Sequence, residues 1–342
     1  FETLAQNLVE YHNAIAERSG LAVYCSARAF PARPELYEGA RLRYWNLDAN
    51  GAQSILYDAL SLFDAVRRGD DRILLLGVSG ALVLPLLRLI SRARVVTNID
   101  GIEWRREKWK GLARIFLQIS EWAAVRFSHK VIADNQAIAD YVAQTYGCGC
   151  EVIPYGGDHA LGSEPDAVAT ADLPENYALA LCRIEPENNV AMILEAFARL
   201  DIPLVFVGNW DKSDYGRRLK AGYRDHANIV ILDPIYEPGA LRAIRDRARL
   251  YVHGHSAGGT NPALVEMMHF GIPVLAHGCE FNRHTTEGKA LYFETAAELA
   301  LLADRLVPEE DAAIGSAMRA IARRRYTWGQ IGKDYFSLLH RL

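Results

Sequence analysis

Apolar positions fall into two alternating rhythms along this chain. Near the start, Leu4, Leu8, Tyr11 and Ile15 recur at helical spacing, and Gly20 follows as a stop. Short unbroken apolar runs then alternate with amphipathic stretches, the pattern of buried strands separated by helices. It predicts strands at 21–27, 41–48, 73–76, 94–99, 130–133 and 151–155, with helices at 52–67, 81–91, 109–127 and 136–146. The stretch 156–176, rich in Gly, Pro, Asp and Ala and without a period, reads as an interdomain linker. The alternation then resumes, with strands at 177–182, 204–207, 229–232, 250–253, 273–276 and 290–293. Helices at 190–199, 213–224, 238–247 and 262–270 lie between them, and three more near 296–305, 309–324 and 329–342 close the chain.

Two successive βα series predict an α/β protein of two Rossmann-like, doubly wound domains, 1–157 and 158–326. Ligands of such sheets sit at the carboxyl ends of the strands. With two domains, the expected site is the cleft between them. A doubly wound domain usually opens on a strand and a glycine-rich loop. This chain opens on a helix at Phe1-Glu2-Thr3, which predicts that the first strand lies outside this sequence.

Composition narrows the picture. The 342 residues are 50% hydrophobic and 23% charged, an ordinary globular mix, and the net charge of −4 gives no global basic field for nucleic acid. Cys25, Cys148, Cys150, Cys182 and Cys279 are odd in number and scattered, which fits reduced thiols of the cytoplasm better than a disulfide framework. Cys148 and Cys150 lack the second pair that zinc requires. The longest apolar run, 73–87, is broken by Gly77, Ser79, Gly80 and Pro85. It is shorter than the roughly 20 residues of a membrane span. Membrane attachment, if any, is therefore expected only at the surface.

Three stretches carry candidate chemistry. The first is His253-Gly-His-Ser-Ala-Gly-Gly-Thr-Asn-Pro262, with Glu266 following. A strand ends, a glycine loop turns, and a helix begins, with Asn261 suited to the cap and Pro262 to the first helical position. The free amides of Gly258, Gly259, Thr260 and Asn261 suit a phosphate. One turn inside, Glu266 suits two vicinal ribose hydroxyls; a capped helix with a surface glutamate would show the same letters. The second is Cys182-Arg-Ile-Glu-Pro-Glu-Asn-Asn189, in which Arg183 follows a strand where a diphosphate would lie. The third is Thr97-Asn-Ile-Asp-Gly-Ile-Glu-Trp-Arg-Arg106, leading to Trp109. Asp100 suits a sugar or acceptor hydroxyl, and indole faces suit sugar rings. Arg105, Arg106, Lys108, Lys110 and Arg114 suit acidic phospholipid or a lipid diphosphate, or are a solvated basic helix face. Gly77-Val-Ser-Gly-Ala81 is close to a hydrolase nucleophile elbow but lacks its last glycine. There is no Walker sequence and no Asp-x-Asp of the metal-dependent transferases.

On these blocks the chain resembles the GT-B retaining glycosyltransferases of family four. It is more closely similar to the bacterial branch that includes rhamnosyltransferases of surface polysaccharide assembly. The matching stretches are Phe1-Glu-Thr3, Asn98 to Arg106, Ile132-Ala-Asp134, Arg183 to Asn189, Gly258 to Pro262 with Glu266, and Phe281 to Glu287 leading to Phe293. The resemblance implies retention of configuration, no metal and no cofactor besides a nucleotide-diphosphate sugar. It implies deoxythymidine-diphosphate rhamnose as donor, and a lipid-linked saccharide at the inner membrane face as acceptor. It also implies that a final helix, 327–342, crosses back to the first domain. Arg183, Asn188, Gly258, Gly259, Thr260, Asn261 and Glu266 become donor-side residues. Asp100, Glu103, Arg105 and Arg106 become acceptor-side ones, with Asp100, Arg183 and Glu266 nearest the chemistry. Two departures stand out. The first glutamate of the wider family's Glu-x7-Glu pair falls on Gly258, and the lysine five residues after its arginine is here Asn188. A nucleotide-sugar epimerase, a noncatalytic sugar-nucleotide-binding protein and a serine hydrolase using Ser79 are the rival readings.

Overall fold

The computed structural model describes residues 1–15, 20–99, 101–105 and 109–342. The chain divides into two compact units, Phe1–Pro154 with Trp328–Leu342, and Tyr155–Thr327. The first unit starts with helix α1 (Glu2–Ala14), strands β1 (Ala22–Ser26), β2 (Leu36–Tyr37) and β3 (Ala40–Trp45), and helix α2 (Ser54–Arg67). It continues through β4 (Arg72–Leu76), α3 (Leu84–Ile90), β5 (Arg94–Ile99), α4 (Gly111–Phe127), β6 (Lys130–Ala133), α5 (Gln136–Tyr146) and β7 (Glu151–Val152).

Strands β4, β5, β6 and β7 pair in parallel in that order. β5 is buried at every residue after its first, so its burial does not alternate, as expected of a strand covered on both faces. β1 and β3 form a separate parallel pair, and β2 turns back antiparallel onto β3. Among the described residues, the first unit thus holds two sheets where the periodicity predicts one. The antiparallel strand follows from Glu38 and Gly39, both at positive φ (44° and 78°), which make a two-residue hairpin turn.

The second unit runs β8 (Ala178–Leu181), α6 (Val190–Phe197), β9 (Leu204–Val207), α7 (Asp214–Tyr223), β10 (Ile229–Leu232), α8 (Pro238–Asp246) and β11 (Leu250–His253). It continues α9 (Pro262–Phe270), β12 (Val274–His277), α10 (Glu280–Thr285), β13 (Leu291–Phe293), α11 (Ala296–Arg305) and α12 (Pro308–Arg325). Its six strands are all parallel, in the order β10-β9-β8-β11-β12-β13. β9 and β11 are buried at every position, and Phe197, Phe206, Trp210 and Phe293 fill the core on one face of the sheet. The winding direction reverses between β8 and β11. Loops leaving two such strands diverge and open a crevice at their carboxyl ends.

The stretch 156–176 is not a free linker. It folds onto the second unit as two short 3-10 turns, Asp158–Leu161 and Ala167–Thr170. Arg242 of α8 donates to the Leu161 carbonyl (2.6 Å), Arg247 donates to that of Thr170, and Asp166 N donates to Gly239 O (3.0 Å). Tethers from arginines to carbonyls leave no periodic trace, which is why composition alone misreads this segment.

The chain ends on α13 (Trp328–His340), which belongs to the first unit. Phe336 stacks on Tyr11 of α1 with ring centroids 5.8 Å apart. Gly332 permits the approach, because a Cβ there would lie 2.3 Å from the Tyr11 ring. The Tyr335 hydroxyl accepts from buried Asn98 Nδ2 at 2.6 Å, fastening the helix to the carboxyl end of β5.

Candidate functional site

At the switch point two loops leave the carboxyl ends of β8 and β11. The loop after β8 carries Arg183, Asn188 and Asn189; the loop after β11 runs from Gly254 to Asn261. They are tied together: Asn189 Nδ2 donates to Gly254 O (2.8 Å), while Ser256 N and Oγ both donate to Glu187 O (3.0 and 2.8 Å). Gly254 has no room for a side chain, since a Cβ would meet Asn188 O at 2.2 Å.

Arg183 is exposed and, among the described residues, its one ion pair is with Glu185 at 3.8 Å, which leaves its guanidinium accessible to an anion. Asn188 has a different place from the one its sequence position suggests. It is buried, and its Nδ2 donates to the Arg183 carbonyl at 2.7 Å, so it shapes the loop that presents Arg183.

On the other loop, Asn261 Oδ1 accepts from Ala263 N at 3.0 Å and Pro262 opens α9, as the capping pattern predicts. Thr260 is buried beside it. Gly258 has φ of +123°, a conformation that side-chain-bearing residues rarely adopt, although space around it is open. A glutamate at this position would therefore be strained in this loop conformation.

Glu266 lies one turn into α9 and is almost fully buried, but its carboxylate is not free. One oxygen pairs with Arg245 of α8 in a short contact, and the other lies 3.4 Å from His159 Nε2. Burial alone would raise this carboxyl. The His159 hydrogen bond and the Arg245 charge outweigh it and hold the group below its ordinary value. Any ribose hydroxyls would therefore have to share this carboxylate with Arg245 and His159. A carboxylate has about four lone-pair sites, so two remain for a ligand. His159 arrives from the segment read as a linker. Gly157 just before it packs on the α9 backbone, where a Cβ would lie 2.7 Å from Glu266 N.

Neither Arg245 nor His159 is singled out by sequence reasoning. Arg245 looks like one more base on an amphipathic helix, yet it is 5% exposed and its Nε has no hydrogen-bond partner among the described residues. Asn282 of α10 is another unforeseen residue. Its Nδ2 donates to the carbonyls of His255 (2.9 Å) and His277 (2.8 Å), holding the ends of β11 and β12 together. His253 stacks on His255 with centroids 4.4 Å apart and shares a hydrogen bond with the Tyr251 hydroxyl (3.1 Å). Burial, reinforced by His255 and His277, pushes His253 well below the ordinary histidine value and keeps it neutral. Among the described residues no group of three or more His, Cys, Asp or Glu side chains is arranged to hold a metal.

In the first unit, Asp100, Arg106 and Lys108 lie outside the described residues. Glu103 accepts from the Trp109 indole at 2.9 Å. Arg105 sits over the rings of Trp104 (5.3 Å) and Tyr141 (4.8 Å), and Arg114 over Trp104 (5.1 Å). Buried Glu121 anchors the group by accepting from Tyr141 and Tyr146 hydroxyls at 2.7 and 2.6 Å. Ser79 accepts a hydrogen bond from Ser54 at 3.1 Å, and among the described residues no hydrogen bond joins it to a histidine.

Comparison with known proteins agrees with this geometry. Residues 165–309 match the family of glycosyl transferases group 1. Residues 1–158 match a family described as a domain of unknown function, DUF1972. No curated protein sequence matches. The fold is shared with sucrose-phosphate synthase from Thermosynechococcus elongatus, at TM-score 0.82 and 17% identity over 100% of this chain and 93% of that one. Anabaena HepE, in complex with UDP-glucose, aligns at TM-score 0.75 and 17% identity over 99% of this chain and 96% of that one. A glycosyltransferase from Rickettsia africae aligns at TM-score 0.74 and 14% identity, covering 98% and 94%. The fold is GT-B, with two Rossmann-like domains. The chain carries a group 1 glycosyltransferase domain and is a glycosyltransferase.

Proposed function

We propose that this glycosyltransferase moves L-rhamnose from deoxythymidine-diphosphate rhamnose to a lipid-linked saccharide, with retention and without metal, in bacterial surface polysaccharide synthesis. The carrying observation is the β8/β11 switch point, at which the loop with an exposed Arg183 and the loop leading to the amino end of α9 both leave the sheet. Arg183 and the amides of Gly258 to Asn261 take the diphosphate. Glu266, oriented by Arg245 and His159, takes the ribose with its remaining lone pairs. Anabaena HepE, of the same fold, is described with UDP and UDP-glucose, which supports a nucleotide-sugar donor here. Rhamnose and the lipid-linked acceptor rest on the sequence resemblance.

In this mechanism the acceptor hydroxyl attacks the anomeric carbon on the face from which the nucleoside diphosphate departs. The new glycosidic C–O bond forms as the C–O bond to phosphate breaks, and the leaving phosphate receives the acceptor proton. Negative charge grows on that phosphate, where a charge-assisted hydrogen bond is worth about 1.5–3 kcal/mol. Asp100, with Glu103, Arg105 and Arg106, is assigned to the acceptor, which binds from the cytoplasmic side of a membrane the protein touches peripherally.

Calorimetric binding of deoxythymidine, uridine, guanosine and adenosine diphosphates, without added metal, tests the donor reading. Tight binding of the deoxythymidine nucleotide, weakened in Glu266→Ala, is expected. Preference for another base would overturn the rhamnose assignment, and binding of none would overturn the donor site.

A further inference from the structure

Helices α3 and α4 pack against each other in the first unit, yet each turns an apolar stripe to solvent. On α4, Leu117, Ser120, Glu121 and Ala124 face inward. The opposite side carries Leu112, Ile115, Ile119 and Trp122, all exposed, Leu112 at 85%. Leu86, Leu89 and Ile90 of α3, with Leu82 in the turn before it, are exposed too, Leu89 at 84%. A surface helix normally shows solvent a polar face. Single exposed apolar residues are ordinary, whereas a concentration on two adjoining helices marks an interaction surface.

Among the described residues of α3, α4 and the turns that join them to their strands, the exposed charges are all basic. Arg88, Arg92, Lys110, Arg114 and Arg126 are exposed. The described carboxylates between β5 and β6 are already engaged: Glu121 is buried under two tyrosines, and Glu103 holds the Trp109 indole. Such a face repels a second copy of itself and matches a surface of fixed negative charge.

We infer that the exposed stripes of α3 and α4 are a docking face for an anionic lipid bilayer. The leucines, isoleucines and Trp122 enter the boundary of the acyl region, and the arginines and Lys110 lie at the level of the lipid phosphates. Among the described residues no helix is long and apolar enough to cross a membrane, so this contact is made from one side. The face refines the peripheral contact proposed above by adding the apolar stripes of α3 and α4 to the basic residues near the start of α4. α4 opens at the end of the connection from β5 that carries Glu103 and Arg105, so docking also brings lipid to the acceptor-side residues; this last point alone rests on the proposed function.

The test is co-sedimentation of the full chain with vesicles of phosphatidylcholine containing about 30% phosphatidylglycerol, and with phosphatidylcholine alone. Binding to the anionic vesicles only is expected, falling as salt rises. Leu89→Ser with Leu112→Ser, at two of the most exposed positions, should weaken it roughly tenfold or more with the thermal transition unchanged. Arg92→Glu with Arg126→Glu should do the same. Absence of anionic-vesicle binding by the parent chain, or unchanged binding by both variants, overturns the proposal. So does a concentration-dependent dimer in light scattering that the serine variant abolishes, since the face would then join two copies. Nucleotide calorimetry on the same variants reads the donor site separately, so a failure there leaves this result standing.

Discussion

Replacing Arg245 by methionine keeps most of the side-chain volume and removes the charge that faces Glu266. Both partners are buried, with side chains 6% and 13% exposed. Removing one member of a buried pair costs about 3–5 kcal/mol, because the other is left as an uncompensated buried charge. His159 still reaches the far oxygen at 3.4 Å, so the lower end, about 3 kcal/mol, is expected. The loss should depend on pH. In the parent chain the Glu266 carboxyl is depressed, so it contributes stability that is present above the unfolded-state value and lost as pH falls through the native one. Without Arg245 only His159 opposes the burial, so the carboxyl rises relative to the parent and the variant gains less stability than the parent as pH rises. The gap between the two proteins therefore widens from about pH 4 to about pH 7. Urea unfolding at both pH values, with unchanged m, measures it. A gap below about 1 kcal/mol at neutral pH, or one of equal size at both, would refute the clamp.

Arg183→Ala should lower turnover at least about tenfold while changing stability by no more than about 0.5 kcal/mol, since the side chain is exposed and weakly paired; unimpaired turnover sinks the phosphate role. Gly258→Ala should lower stability by about 1 kcal/mol or more through backbone strain alone, given φ of +123° and open space around it; an unmoved thermal midpoint would contradict this. Burial lifts the Asp58 carboxyl to about 7, against the opposing pull of its bond to the Gly80 backbone. A raised native value means stability is full below the ordinary carboxyl range and declines as pH climbs through 7. Asp58→Asn should remove that decline, and identical pH profiles for the two proteins would count against it.

Much of the fold was legible because central parallel strands are short, largely apolar runs. Arg94–Ile99, Lys130–Ala133, Leu204–Val207 and Leu250–His253 have the limits their hydrophobicity predicts. The Asn261-Pro262 cap was legible for the same reason: the signal is local. What escaped depends on partners distant in sequence or on very short elements. β2 is two residues long, and α10 has six. Glu266 could be placed one turn inside α9, but its pairing with Arg245 and His159 is settled by how α8 and the 156–161 segment pack on that helix. Asn188 illustrates the limit of motif logic, because its position in the loop suggested a ligand and its amide instead closes the turn around Arg183.

The return of α13 to the first unit has a consequence for how the protein is made. A nascent chain that has emerged as far as Thr327 contains the whole second unit. Its first unit still lacks Tyr335 against Asn98 and Phe336 against Tyr11. The half synthesised first thus gains these contacts only after the whole of the second unit has been made.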